Sequence, residues 1–194
     1  MTKPLLSKAF KYTKNILHVD DTSLHALAEK YATPCYVYSA TQILANYRAY
    51  ETALASVMSR AAFTICYACK ANGNQAILSL LAKAGAGADI VSAGEMQRAL
   101  KAGVTPDKIV FSGVGKTETE IDQALKSGLR QINAESEPEL VMISKIAKRR
   151  KVTVDVALRI NPNVDAKTHA KITTGKKENK FGIAYEDASR LYRK

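Results

Sequence analysis

From Thr33 onward, short apolar runs alternate with longer stretches in which apolar residues recur every three or four positions. The runs predict strands at Cys35 to Tyr38, Ala62 to Tyr67, Asp89 to Val91, Ile109 to Phe111, Gln131 to Asn133 and Val152 to Ile160. The stretches between them, such as Ile43 to Val57 and Gln75 to Lys83, carry the period of amphipathic helices. Three predicted helices open on the same device, a hydroxyl followed three residues later by glutamate: Ser92 with Glu95, Thr117 with Glu120, Ser136 with Glu139. Each reads as a capping box, in which hydroxyl and carboxylate satisfy two orphan backbone amides. The first two helices then meet Gly103 and Gly128, where a left-handed C-cap is expected.

Strand followed closely by capped helix is a βα unit, and repeated βα units build either an open doubly wound sheet or a closed barrel. Both take their ligands beyond the carboxyl ends of the strands. Lys70, Ser112 with Gly113, Asn133 and Arg159 therefore converge on one rim. Lys70 follows the run Phe63-Thr64-Ile65-Cys66-Tyr67, apolar on both faces as a central parallel strand is. Two readings of it compete. A lysine there can simply mark the solvated edge of a sheet. Held partly desolvated, it offers a neutral amine able to condense with an aldehyde. The other polar groups gathered on the rim favour the second.

Glycine patterns separate the two architectures. Gly85-Ala86-Gly87-Ala88 precedes a strand, whereas a dinucleotide-binding loop follows one. Gly115-Lys116-Thr117 lacks the upstream glycine of a phosphate-cradling loop, since Val110 stands five positions earlier. A barrel is the expectation.

Composition narrows the picture further. At 194 residues and 46% hydrophobic content the chain can bury a core, and it has no run of about eighteen apolar residues to cross a membrane. The segment Met1 to Lys8 lacks the apolar centre of a secretory leader, and three unpaired-looking cysteines suit a reducing compartment, so the expected location is cytoplasmic. Cys66 and Cys69 have redox spacing, but the predicted strand turns them to opposite faces and no histidine pair accompanies them, so no metal is expected. The net charge of +11 raises the question of nucleic acid. Its densest run, Lys145 to Lys151, closes a helix that opens on Glu137 and Glu139, which complements the helix dipole, and few aromatics stand among the lysines. No nucleic-acid or membrane partner is expected.

The stretches Thr33-Pro34-Cys35-Tyr36-Val37-Tyr38-Ser39, Tyr67-Ala68-Cys69-Lys70-Ala71-Asn72, Gly87 to Glu95, Phe111-Ser112-Gly113-Val114-Gly115-Lys116-Thr117 and Leu158-Arg159-Ile160-Asn161-Pro162 carry a family resemblance. So do Thr168-His169-Ala170-Lys171-Ile172-Thr173-Thr174-Gly175 and Lys180-Phe181-Gly182. In order and spacing the chain resembles the N-terminal part of diaminopimelate decarboxylases, enzymes of the alanine-racemase-like barrel class that use pyridoxal 5'-phosphate. The resemblance implies a lyase of lysine biosynthesis that removes carbon dioxide from meso-2,6-diaminopimelate to give L-lysine. It implies Lys70 as the catalytic lysine that carries the cofactor, with Asp89 and Arg159 beside it. For those two a buried structural ion pair competes with a cofactor role. Ser92 and Glu95 are explained by capping, and His169 by a polar, lysine-rich loop.

The family's remaining barrel strands, a ring-stacking histidine in His-x-Gly-Ser, a Glu-Pro-Gly-Arg phosphate loop and a C-terminal β-domain come after the matched part. The resemblance thus implies an α/β chain holding about five units of an eight-fold (β/α) TIM-type barrel, without the β-domain. Residues 1–32 are expected to pack on that β-domain and 33–194 to form the partial barrel, in a protein that is a homodimer when whole. The 194-residue chain alone is expected to be inactive. Two alternatives stand beside this: another barrel enzyme with the same cofactor (a racemase, or an ornithine- or arginine-type decarboxylase), and a non-catalytic truncated paralogue.

Overall fold

The computed structural model describes residues 9–162 and 181–193. His169, the stretch Thr168 to Gly175 around it, and Lys180 lie outside them. The chain divides into two compact units, 1–65 and 66–194.

The first unit opens with an antiparallel meander of β1 (Phe10–Thr13), β2 (Ile16–Val19) and β3 (Thr22–Ser23). Lys14 and Asn15 both adopt positive φ, 49° and 64°, as a two-residue hairpin turn requires. Neither residue is glycine, so the usual sequence signal for that turn is missing. Helix α1 (Leu24–Tyr31) is capped by Ser23, and α2 (Ala40–Ala55) by Ser39. Ser39 accepts from the Gln42 amide at 2.9 Å and donates to Asp20 at 2.8 Å, which holds that carboxyl below its ordinary range. This cap starts α2 three residues before the position that apolar periodicity indicates. Cys35 to Tyr38, expected as a strand, forms none: Cys35, Tyr36 and Tyr38 are exposed, and among the described residues no strand pairs with them.

In the second unit five parallel strands stand side by side: β4 (Cys66–Ala68), β5 (Gly87–Ile90), β6 (Ile109–Phe111), β7 (Gln131–Ala134) and β8 (Asp155–Leu158). Helices α3 (Gln75–Lys83), α4 (Ala93–Lys101), α5 (Glu118–Ser127) and α6 (Glu137–Arg150) connect them. Spatial order repeats chain order without a reversal. A doubly wound nucleotide fold reverses at its switch point, whereas a barrel wall does not. Among the described residues the wall stays open. The strand period of two sorts its side chains. Ile90, Ile109, Phe111 and Ile132 are fully buried with Ile121 of α5 and Ile143 and Ile146 of α6. The alternate residues Asp89, Gln131 and Asn133 point to the opposite face.

Three expectations need correction here. The strand expected over Ala62 to Tyr67 is confined to Cys66–Ala68, because Arg60–Ala62 turn as a 3-10 helix. Cys69 consequently lies in a second 3-10 turn, Cys69–Ala71, and is buried, not on a strand face opposite Cys66. The long strand expected over Val152 to Ile160 breaks at Arg159. Its amide donates to the Ala134 carbonyl at 2.9 Å, and its carbonyl accepts from the Ile183 amide at 2.7 Å. Beyond the break, β9 (Ile160–Asn161) pairs in parallel with β10 (Ile183–Ala184), followed by α7 (Ala188–Tyr192). Gly182 permits this approach: its φ is 83°, and a Cβ there would meet the Arg159 carbonyl oxygen at 2.9 Å.

Among the described helices only α5 has the complete capping box. Thr117 accepts from the Glu120 amide, Glu120 accepts from the Thr117 amide, and the helix ends at Gly128 with φ 70°. In α4 the Glu95 carboxylate passes over the cap to take the Val91 amide at 2.8 Å, and in α6 Glu139 is drawn elsewhere. Thr117→Ala is expected to lower stability by about 1 kcal/mol. The check is a lower urea midpoint at unchanged m-value. The basic end of α6 is partly tied down: Arg149 and Arg150 both hold Asp122 of α5, whose carboxyl falls to about 2 chiefly through the Arg150 hydrogen bond.

Candidate active site

The carboxyl ends of the strands border a cleft of about 460 Å³ that Lys70, Asp89, Ser112, Asn133, Glu135 and Arg159 help to line. Lys70 reaches it from the 3-10 turn that follows β4. Buried Cys69 anchors that turn, and burial pushes its thiol up to about 11, so it stays a protonated, inert packing group. The Tyr67 hydroxyl donates to the Asn72 carbonyl at 3.3 Å, and Asn74 caps α3, which fixes the far side of the turn. The lysine itself is exposed, not partly desolvated as its apolar strand implied, because the chain leaves the sheet two residues before it. Among the described residues its amine has no hydrogen-bond or ion-pair partner.

Asp89 sits at the end of a hydrogen-bonded string. Gln131 donates to the Asn133 side-chain carbonyl at 2.6 Å, Asn133 donates to the Ser112 hydroxyl at 2.9 Å, and Ser112 donates to Asp89 at 2.6 Å. Among the described residues Asp89 has no cationic partner. Arg159 does pair, with Glu135 at 2.9 Å. The arginine side chain is 41% exposed and the glutamate only 4%, so the cation faces the cleft while its counter-charge is buried behind it. The Phe181 ring lies 5.7 Å below the guanidinium carbon.

Three functional-looking groups escape a reading of the sequence. Glu135 stands between β7 and the α6 cap, where nothing but its charge distinguishes it. Lys116 by itself reads only as part of a nucleotide loop, and Glu139 only as a helix-start acid; neither signals a buried pair. Lys116 and Glu139 form a buried ion pair at 2.6 Å, their side chains 1% and 7% exposed. Burial pushes the Glu139 carboxyl upward against the pull of Lys116. Among the described residues no group of three metal-binding side chains occurs, and no helix is long and apolar enough to cross a membrane.

The strand ends of this parallel α/β wall, where enzymes of such folds take their ligands, gather a lysine amine without a partner among the described residues and an arginine held by a buried glutamate. Residues 40–194 match the family model of the pyridoxal-dependent decarboxylase, pyridoxal binding domain, and the chain belongs to that family. It is 47% identical to a diaminopimelate decarboxylase of Pseudomonas aeruginosa over 94% of its own length and 43% of that protein's. A diaminopimelate decarboxylase structure from M. jannaschi superposes with a TM-score of 0.85 at 42% identity, covering 95% of this chain and 44% of the other. The Helicobacter pylori enzyme in complex with L-lysine superposes with a TM-score of 0.81 at 47% identity, covering 87% and 42%. The chain thus spans about two fifths of the length of the relatives it matches.

Proposed function

We propose that this chain is the cofactor-binding part of a diaminopimelate decarboxylase, which removes carbon dioxide from meso-2,6-diaminopimelate and yields L-lysine. The observation that carries the reading is the Lys70 amine, unpaired among the described residues, on the rim of a cleft lined by Asp89 and Arg159, in a chain close to half identical to enzymes of that activity. The donor set fits pyridoxal phosphate. An aldehyde needs an accessible amine without a competing partner, and an anion is favoured beside a cation whose own counter-charge is buried.

When bound, the cofactor supplies an electron sink for the pair left behind as the carboxylate departs. Lys70 holds it covalently through its ε-nitrogen. Arg159, kept in place by Glu135, presents its remaining N–H groups to the cleft. Asp89, oriented by the Ser112 hydroxyl, contributes negative charge on the same rim. The reading extends to a barrel completed beyond the described strands, to residues 1–32 packing on a β-domain, and to a homodimer in the cytoplasm. The test is product analysis with protein expressed from its intact gene. Meso-diaminopimelate should give L-lysine and carbon dioxide, while ornithine and arginine should give no amine. Conversion of either of those instead, or racemisation of an amino acid, would replace the reading.

A further inference from the structure

We propose that Lys116 is a positioning residue of this cleft, its ammonium holding the two backbone carbonyls from which the site's polar side chains are hung. Its three N–H donors are all used: on the Gly113 carbonyl at 2.7 Å, the Asn133 carbonyl at 2.7 Å and Glu139 at 2.6 Å. Gly113 lies in the loop after β6 and Asn133 in β7, so the two carbonyls come from neighbouring βα units, and each leads to one string of cleft groups.

The Gly113 carbonyl accepts from Lys116, while the Gly113 amide donates to Glu135 at 2.9 Å; the other Glu135 oxygen accepts from Arg159. A chain of hydrogen bonds therefore runs from Glu139 through Lys116, the backbone of Gly113 and Glu135 to the guanidinium in the cleft. Asn133, whose carbonyl Lys116 also holds, donates through its side chain to Ser112 and so reaches Asp89. The backbone between the strings has little slack. Gly113 has a φ of 95°, and a Cβ there would meet the Val91 Cβ at 3.1 Å. Thr117, the next residue after Lys116, is fixed by the complete capping box.

A buried ion pair is a poor way to gain stability, since a well-packed apolar pair serves as well or better. What an apolar pair cannot do is orient two carbonyls from neighbouring βα units. That is the work assigned here to the ammonium, and it rests on the functional reading above, because the groups it places are those proposed to meet the cofactor.

The experiment uses protein from the intact gene and two variants. Lys116→Met combined with Glu139→Gln removes both charges, so no buried charge is left uncompensated. Its melting temperature is expected to fall by less than that of Lys116→Met alone, since only the two carbonyls and no carboxylate lose their partner, while its dissociation constant for pyridoxal phosphate, titrated by absorbance of the lysine-bound cofactor, rises roughly tenfold or more, as when supporting groups let a site drift. Glu139→Gln alone keeps Lys116 on both carbonyls. It is expected to lose stability yet retain wild-type cofactor affinity. The proposal falls if the double variant binds the cofactor as wild type does, if it fails to fold, or if the single variant loses as much affinity as the double. The wild-type titration run alongside reports on the functional reading separately.

Discussion

Lys70→Ala, in protein from the intact gene, is expected to abolish covalent cofactor attachment and to lower turnover roughly 10³-fold or more, the scale on which loss of a covalent catalytic group is felt. Stability should hardly change, within about 0.5 kcal/mol, because the side chain is exposed and no described residue depends on it. Lys70→Arg should be equally inactive, since a guanidinium keeps the positive charge but never presents a neutral amine. The pair of variants thus separates nucleophile from cation. Borohydride reduction of the wild-type holoprotein followed by peptide mapping provides the direct check, with the pyridoxyl group expected on the peptide containing Lys70. An adduct on a different lysine would end the assignment.

The second large effect is on stability. Lys116→Met is expected to cost about 3–5 kcal/mol, because it strands the Glu139 carboxylate in a buried site and frees two half-buried carbonyls. Against a typical total of about 5–15 kcal/mol, that is a large share. The loss should depend on pH in a stated direction. Burial already pushes the Glu139 carboxyl above its usual range, and removing the ammonium takes away the interaction that opposes this. Above the unfolded value of about 4.3 the native variant then keeps a proton that the unfolded chain releases, so stability falls as pH rises through the raised value. Urea midpoints of the variant should therefore lie further below wild type at about pH 8 than at about pH 5. Adding Glu139→Gln should remove the extra slope. A deficit independent of pH would show that Glu139 is not the group left stranded.

The sequence alone determined the repeating unit and its order. Apolar runs with a period of two and helices with a period of 3.6 are local signals, and so are the hydroxyl caps of Ser92, Thr117 and Ser136, each of which forms. Placing Lys70, Ser112, Asn133 and Arg159 on one rim needed only the rule that ligands gather at strand ends, and all four line the same cleft. Family resemblance, spread over many short stretches, reached further than any single residue pattern.

Tertiary structure decided where each charge ends up. Glu95, Glu120 and Glu139 look alike in sequence, yet they take the Val91 amide, the Thr117 amide and the Lys116 ammonium respectively. A carboxylate chooses among partners by distance in space, and those partners come from neighbouring loops as well as its own. The break of a strand at Arg159 and the exposure of Lys70 have the same origin. Arg159 is pinned by carbonyl and amide groups of two other strands, and Lys70 lies just past the point where pairing with β5 stops. Local patterns specify what a segment prefers to be. Which buried charge meets which, and where a strand must end, depend on contacts between residues far apart in the chain.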